Sequence, residues 1–291
     1  MSPVLRLGVL TTLVMIAFAA NSILNRLAVG GGHIGALEFS LIRVVAGAAM
    51  LCALVLFRGG ALPLLARGRI AGAIWLSLYL LGFSVAYTRL DAGLGALILF
   101  GVVQITMFAG GVIGGDKPPL RRWIGAGLAL VGLAWLIWPA GAVTVPGVAA
   151  AAMAVAGLGW GLYSLAGRKA QDPLPDTAAN FLLAVPLCGL PVLLWPAEPD
   201  AVSTAATGIS LAIVAGAITS GLGYALWYSV LPRLGASVGG LVQLTVPVIA
   251  IVGGMLLLGE EITLRLVAAS ALVLGGIAYG LFQRRIGSSG S

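Results

Sequence analysis

An ungapped internal duplication constrains the fold of this chain more than any other feature of its sequence. Segment 94–136 aligns with segment 238–280, and corresponding residues lie 144 positions apart throughout. The identical pairs include Gly95/Gly239, Ile105/Ile249, Gly110/Gly254, Leu120/Leu264, Arg121/Arg265 and Leu130/Leu274. A shared bias toward Leu and Gly would give scattered matches, whereas a constant offset without gaps indicates two copies of one structural unit.

The duplicated chain consists largely of apolar segments. Its 291 residues are 60% hydrophobic and 9% charged, and the mean hydropathy is +1.10. A helix needs about 20 apolar residues to cross the hydrocarbon of a bilayer. Segments of about that length occur at 7–28, 34–57, 70–87, 93–113, 123–138, 147–165, 178–195, 208–231, 237–258 and 264–282. We therefore predict an all-α polytopic membrane protein with ten transmembrane helices, five in each half.

The uncharged connector 139–146 is the predicted boundary between the halves. It separates a first five-helix repeat, 1–145, from a second, 146–285, and the Gly/Ser-rich ending 286–291 is predicted to be a flexible tail. A competing interpretation treats the first apolar segment as a cleaved signal peptide, with small residues at the cleavage site. Because cleavage would leave the first half one helix short, we predict that this segment is retained.

Basic residues concentrate in one set of connectors. With the N-terminus in the cytoplasm, the cytoplasmic connectors carry most of the Lys and Arg, so both termini are predicted to be cytoplasmic. An odd number of helices per repeat then inverts the second half relative to the first. The corresponding turns agree, since 114–122 is basic and 259–265 is mostly acidic. The net charge of +7 is thus an orientation signal, and no nucleic-acid partner is predicted.

Polar groups inside the apolar segments are the first candidates for a solute site, because they are costly in lipid. Arg43 lies deeper in the second segment than Glu38, and two roles are open for it: binding a substrate carboxylate, or bonding carbonyls of a broken neighbouring helix. Among the uncharged groups, Asn21, Gln104 and Gln243 are predicted to face a cavity, with helix–helix hydrogen bonding as the alternative.

Aromatic residues with polar tips accompany these groups. Trp and Tyr usually mark the membrane interface, but Tyr79 and Trp160 lie well inside their segments. Such side chains can stack on an apolar or aromatic solute while their polar atoms bind its polar end. The aromatic residues predicted to bind substrate are Trp75, Tyr79, Trp160, Tyr163 and Tyr224.

Prolines interrupt two of the predicted helices. Pro247 lies in the ninth segment, and Pro186 and Pro191 lie in the seventh. Each is predicted to kink or break its helix where the freed carbonyls can face a cavity, with a simple packing kink as the alternative. Pro247 is the candidate for a helix break that takes part in gating.

The residues that would perform catalysis or bind metal are sparse. Cys52 and Cys188 lie in separate apolar runs, and His33 is the only histidine and stands in a glycine-rich turn. One histidine and two distant thiols do not form a zinc site or a catalytic triad. We predict no metal, no cofactor and no enzymatic activity.

The ninth and tenth segments resemble the signature of the EamA-type drug/metabolite transporter superfamily. They read LTVPVIAIVGGMLLLGEEITLRLVAASALVLGGIAYGL, with a mid-helix proline, a glycine-rich run and a Gly-Glu turn, and the resemblance extends over 7–282. Segment EFSLIRVVAGAAM is similar to the Arg-bearing second helix of the family, which corresponds to Arg43. Val103 departs from the pattern, because it replaces the proline that matches Pro247.

The resemblance implies a ten-helix exporter of small metabolites with a central cavity, and the aromatic-rich set is similar to the YddG-type amino acid exporters. We therefore predict a secondary transporter that exports amino acids, aromatic or otherwise largely apolar, across a bacterial inner membrane by alternating access. The alternatives are a multidrug or lipophilic-compound exporter of the same fold and a membrane scaffold that transports nothing. The expected partners are the solute and membrane lipid, and the expected state is a monomer or weak homodimer.

Overall fold

The computed structural model describes residues 2–115, 117–138, 145–167, 172–195 and 205–281, which are helical and contain no strand. The α-helices are α1 Pro3–Asn25, α2 Ala36–Phe57, α3 Arg69–Ala86, α4 Ala92–Ile113, α5 Leu120–Ile137, α6 Gly147–Gly167, α7 Pro173–Leu194, α8 Ala206–Val214, α9 Gly223–Gln243, α10 Thr245–Leu258 and α11 Leu264–Leu281. Two π-helical segments, Arg26–Gly30 and Ala215–Leu222, continue α1 and α8. The predicted tail 286–291 and most of the connector 139–146 lie outside the described residues.

The helices have the length and composition of membrane spans. In the described ranges, 7 helical stretches are long and apolar enough to cross a bilayer, and Thr245–Leu258 and Leu264–Gly280 are shorter apolar helices. Large apolar side chains lie on the outer surface, as at Leu256 and Leu257, which are 70% and 71% exposed. Such exposure is unfavourable in water and favourable in lipid. The chain is therefore an all-α, multi-pass membrane protein.

Corresponding turns in the two copies share one backbone conformation. Gly115 follows α4 with φ 94° and Gly259 follows α10 with φ 69°. This left-handed conformation ends a helix, and glycine adopts it without the steric cost that a side chain would bring. The duplication seen in the sequence thus extends to the turn that separates the last two helices of each copy.

One helix boundary differs from the sequence-based expectation. The sequence placed a connector between 231 and 237, but α9 continues to Gln243, and the break falls at Leu244. Pro247 gives the reason, because a proline has no N–H to donate and its ring collides with the carbonyl four residues earlier, here that of Gln243. In α7, by contrast, Pro186 and Pro191 lie inside one continuous helix, so a break there is wrong, while a kink stays a prediction.

The last helices of the two copies pack against each other in a reciprocal manner. A Cβ atom built on Gly132 would lie 2.8 Å from Val273, and one built on the corresponding Gly276 would lie 2.8 Å from Leu128. Further along the pair, a Cβ on Gly125 would lie 2.4 Å from the Gly276 carbonyl oxygen. These contacts run in opposite directions along α5 and α11, so the two helices are antiparallel.

The same kind of close approach positions the helices around the centre. A Cβ on Gly159 of α6 would lie 2.7 Å from the carbonyl oxygen of Trp75 and 2.9 Å from the amide nitrogen of Tyr79, both on α3. Small residues that let helix backbones approach are the usual means of helix packing in lipid. Elsewhere, α2 packs on α7 and α4 on α10, and each of these pairs joins helices from different halves of the chain.

Candidate functional site

A small cavity lies at the centre of the described helices, between side chains of α1, α3, α4, α6 and α9. Its lining residues are Phe18, Asn21, Ser22, Tyr79, Phe83, Leu99, Phe100, Trp160 and Tyr224. The volume that the centre of a water molecule can occupy inside the cavity is about 10 Å³, so the cavity holds about one water. The sequence leads us to expect a chamber wide enough for a small organic solute, and this cavity is too small to hold one.

Aromatic rings form most of the cavity wall. The Trp160 ring lies 5.0 Å, between centroids, from both Tyr79 and Tyr224, and 6.4 Å from Phe18 in an edge-on arrangement. Phe18 and Tyr224 are themselves 5.7 Å apart and perpendicular. Tilted and edge-on aromatic pairs at these distances are attractive, so the rings stabilise one another in the wall. The wall therefore suits a solute with an apolar or aromatic part.

Arg43 lies behind this wall and is fully buried on α2. Its Nη2 donates to the Tyr79 hydroxyl at 3.0 Å, and its Nε donates to the Ser220 hydroxyl at 3.1 Å. The guanidinium carbon lies 5.1 Å from the centroid of the Phe83 ring, within the range of a cation–π interaction. Two residues of the cavity wall, Tyr79 and Phe83, thus contact the buried positive charge.

A π-helical segment brings the second half of the chain into the same network. Ser220 accepts from Arg43 and donates to Oδ1 of Asn21 at 3.3 Å, and the Thr219 hydroxyl donates to the same Oδ1 at 2.6 Å. The Asn21 amide in turn donates to the Thr219 carbonyl at 3.4 Å. Both hydroxyl residues belong to Ala215–Leu222, and π-helical turns are frequently found at functional sites.

The charge of Arg43 has no carboxylate partner in the part of the chain that the structure describes. The ion pairs found there join Arg26 with Asp91 and Glu260, and Arg69 with Asp176. The Nη1 group of Arg43 is buried without any hydrogen-bond acceptor in those same ranges. A buried unpaired charge is costly, so an anion placed beside Nη1 would be strongly stabilised.

The structure brings some of the predicted site residues together and leaves others apart. Asn21, Tyr79, Trp160 and Tyr224 line the cavity. Arg43 contacts its wall from behind, and Tyr163 stacks on Trp160 with the ring centroids 5.7 Å apart. The remaining predicted residues lie outside the cavity lining: Trp75 and Gln104 half-buried on α3 and α4, Gln243 at the end of α9, and Pro247 buried in α10.

Sequence reasoning missed several residues that shape the site. Phe18 and Phe83 form part of the wall, but an apolar ring in an apolar helix carries no signal that separates a cavity from a packed core. Thr219 and Ser220 carry the same signal as Asn21, a polar group inside an apolar segment, and that criterion would have found them.

Comparison with known proteins identifies the family to which this chain belongs. Residues 147–281 match the EamA-like transporter family. An uncharacterized protein of Pseudomonas aeruginosa is 45% identical over 276 residues, which cover 94% of each chain. An uncharacterized transporter of Archaeoglobus fulgidus is 35% identical over 95 residues, or 32% of this chain and 34% of that one. The chain belongs to the EamA-type family of the drug/metabolite transporter superfamily.

A solved structure supports the fold. One crystal structure superposes with a TM-score of 0.67 over 93% of this chain and 97% of the other, at 20% sequence identity. At that identity the likeness concerns the fold alone. Family membership makes the chain a membrane protein of a small-molecule transporter class, which agrees with the prediction that it is not an enzyme.

Proposed function

We propose that the chain is a secondary transporter that exports amino acids, aromatic or otherwise largely apolar, from the cytoplasm across a bacterial inner membrane. The observation that carries the proposal is the combination of an aromatic cavity wall with a buried guanidinium. The rings of Tyr79, Trp160 and Tyr224 suit an apolar side chain, and the unpaired Nη1 of Arg43 suits a carboxylate. An amino acid carries both parts in one molecule.

The two open roles of Arg43 are compatible in this proposal. Its Nε and Nη2 atoms hold Ser220 and Tyr79 in place, and Nη1 is left for the solute. An arginine has enough donors for both tasks, because its guanidinium carries five N–H groups in a fixed plane. The positive charge also disfavours lipophilic cations, which are a principal cargo of the alternative, a multidrug exporter.

We propose further that 1–145 and 146–285 are inverted five-helix repeats, with both termini in the cytoplasm. The antiparallel, reciprocal contact of Gly132 with Val273 and of Gly276 with Leu128 supports this, because a two-fold axis in the membrane plane produces that pattern. The stretch Ala206–Leu231, which runs through the second π-helical segment, would then be one of the ten spans. The corresponding left-handed glycines, Gly115 and Gly259, agree with that arrangement.

The size of the cavity points to alternating access. A space that holds about one water is too small for an amino acid, and its lining residues are all buried, so the helices must move apart before a solute can enter. Transport then requires the helices to part first on one side and then on the other, as inverted repeats do when one bundle rocks against its partner.

Counterflow into reconstituted vesicles tests the proposal. Vesicles preloaded with an unlabelled amino acid should take up the same labelled amino acid faster than protein-free vesicles, and L-phenylalanine should be among those that exchange. Trp160→Ala should abolish the exchange, whereas Trp135→Ala should leave it intact, because Trp135 lies 47% exposed on the outer surface of α5. If no amino acid exchanges, or if both variants behave alike, the proposed function is wrong.

A further inference from the structure

Two clusters of charged side chains lie at opposite ends of α3, outside the cavity. One contains Arg26, Asp91 and Glu260, and the other contains Arg69 and Asp176. We call them the Glu260 cluster and the Asp176 cluster. Because α3 has 18 residues, the two clusters are separated by about 27 Å, close to the thickness of the bilayer hydrocarbon.

The Glu260 cluster joins three chain segments. Nη2 of Arg26 lies 3.4 Å from Asp91 Oδ1, and its Nε lies 3.5 Å from Glu260 Oε1. Both carboxylate oxygens of Glu260 also accept from the Ala92 amide, at 2.8 and 2.9 Å. That amide is the first of α4, where the free N–H groups favour a negative charge. The side chain of Glu260 is only 11% exposed.

The Asp176 cluster joins the start of α3 to the start of α7. The Arg69 guanidinium donates to the Asp176 carboxylate through Nη2 and to the Pro63 carbonyl through Nε, the latter at 3.3 Å. The side chains of Arg69 and Asp176 are 14% and 19% exposed. Asp176 lies in the first helical turn of α7, which also favours a carboxylate.

The Glu260 cluster sits directly above one end of the cavity. On α1 the residues Phe18, Ser22 and Arg26 follow each other at intervals of four, so they share one helix face. The first two line the cavity and the third belongs to the cluster. On α3, Phe83 lines the cavity and its ring lies 4.7 Å from that of Tyr87, whose carbonyl accepts from Arg26 at 3.4 Å.

The Asp176 cluster closes the other end through a similar stack. Asn180 lies one turn after Asp176 on α7 and donates to the Tyr163 hydroxyl at 3.4 Å. The Tyr163 ring packs at a tilt against Trp160, which lines the cavity. A Cβ on Gly72, one turn after Arg69, would lie 2.9 Å from Asn180 Oδ1. Each end of the cavity is therefore covered first by a ring and then by an ion pair.

Each cluster also joins the two halves of the chain. Arg26 and Arg69 come from 1–145, and Glu260 and Asp176 come from 146–285. We propose that these two inter-half ion pairs are the gates of the transport cavity, and that each must break for the cavity to open on its own side. This rests on the proposed function, which requires the halves to separate alternately. With both pairs formed, the cavity is closed at both ends.

Cysteine accessibility tests the gates without any transported solute. The reporter is the thiol introduced by Ser22→Cys in the cavity wall, in a background where Cys52 and Cys188 are replaced by alanine. A membrane-impermeant thiol reagent is applied to right-side-out cells and, separately, to inverted vesicles. Glu260→Ala and Asp176→Ala are the matched variants, since each removes one carboxylate from one end.

The two variants should act on opposite faces. In the proposed orientation Glu260→Ala speeds labelling of the reporter thiol from outside about five- to tenfold, and Asp176→Ala does the same from inside. Arg26→Ala should reproduce the effect of Glu260→Ala, which keeps the test usable if one variant folds poorly. Purely structural ion pairs would lower thermal stability without sidedness. Equal labelling from both faces in either variant, or no change in either, would overturn the proposal.

The outcome of this labelling experiment is independent of the outcome of the counterflow test of the proposed function. If the two variants change labelling from opposite faces but no amino acid exchanges in vesicles, the ion pairs are gates and the substrate assignment is wrong. If amino acids exchange but labelling stays unchanged or loses its sidedness, the transporter stands and these ion pairs are not its gates.

Discussion

Arg43 places a buried positive charge at the centre of a membrane protein, in a position where the described residues offer it hydroxyls and rings but no carboxylate. In the medium of low polarity inside the helices, such a charge selects the sign of whatever approaches it. The proposed preference for a carboxylate-bearing solute therefore depends on one side chain.

Substitutions of Arg43 should distinguish the effect of its positive charge on transport from the effect of its planar shape. We expect Arg43→Gln to slow phenylalanine counterflow by at least about tenfold, because the solute carboxylate loses its partner. Arg43→Lys, which keeps the charge without the planar fork, should fall between that variant and the wild type. Initial rates in vesicles measure the effect, and Tyr79→Phe, which removes one hydroxyl that bonds Arg43, is the milder comparison. A wild-type rate in Arg43→Gln would contradict this role.

For single residues, the sequence predicts a place in the candidate site when the side chain is chemically unusual for its segment. Arg43, Asn21 and Trp160 carry polar or polar-tipped side chains inside apolar segments, and all three lie in or against the cavity wall. Gln104 shows the limit of this reasoning, because it has the same signal and lies outside the lining. Which side of a helix faces the centre depends on how its neighbours pack, and a single sequence does not specify that.

Among the helices, the α5–α11 pair depends on glycine where the backbones meet. Gly125→Ala should destabilise the protein by about 1–3 kcal/mol, because its Cβ would lie 2.4 Å from the Gly276 carbonyl oxygen and a backbone atom cannot easily move away. Gly127→Ala, on the same helix with no atom within 4 Å, should be neutral or slightly stabilising. Thermal unfolding in detergent measures both, and equal losses would rule out this packing.

Helix boundaries were predicted where proline or glycine forces them and missed where packing overrides them. Gly259 ends α10 as its position in the duplicated turn suggests, and Pro247 explains the break at Leu244. In α7 the same residue type leaves the helix unbroken at Pro186 and Pro191. The neighbouring helices can compensate for the missing hydrogen bonds, and that compensation is invisible in the sequence of one segment.

At the scale of the whole molecule, the duplication predicted two similar halves, and the reciprocal packing of Gly132 and Gly276 agrees with halves that face opposite ways. What the sequence does not contain is the conformation. Two similar halves are compatible with wide and narrow central cavities alike, and the narrow cavity of this structure depends on contacts between residues far apart in the sequence, such as Phe18 with Trp160.

Blocking the cavity tests most directly whether it is the route of transport. In vesicles that contain the Ser22→Cys variant, counterflow of labelled phenylalanine should stop once an impermeant thiol reagent has modified the introduced thiol, and excess phenylalanine should slow the modification. Both results follow if solute and reagent compete for the space between Tyr79, Trp160 and Tyr224. Undiminished phenylalanine exchange in vesicles whose introduced thiol is fully modified would contradict the account.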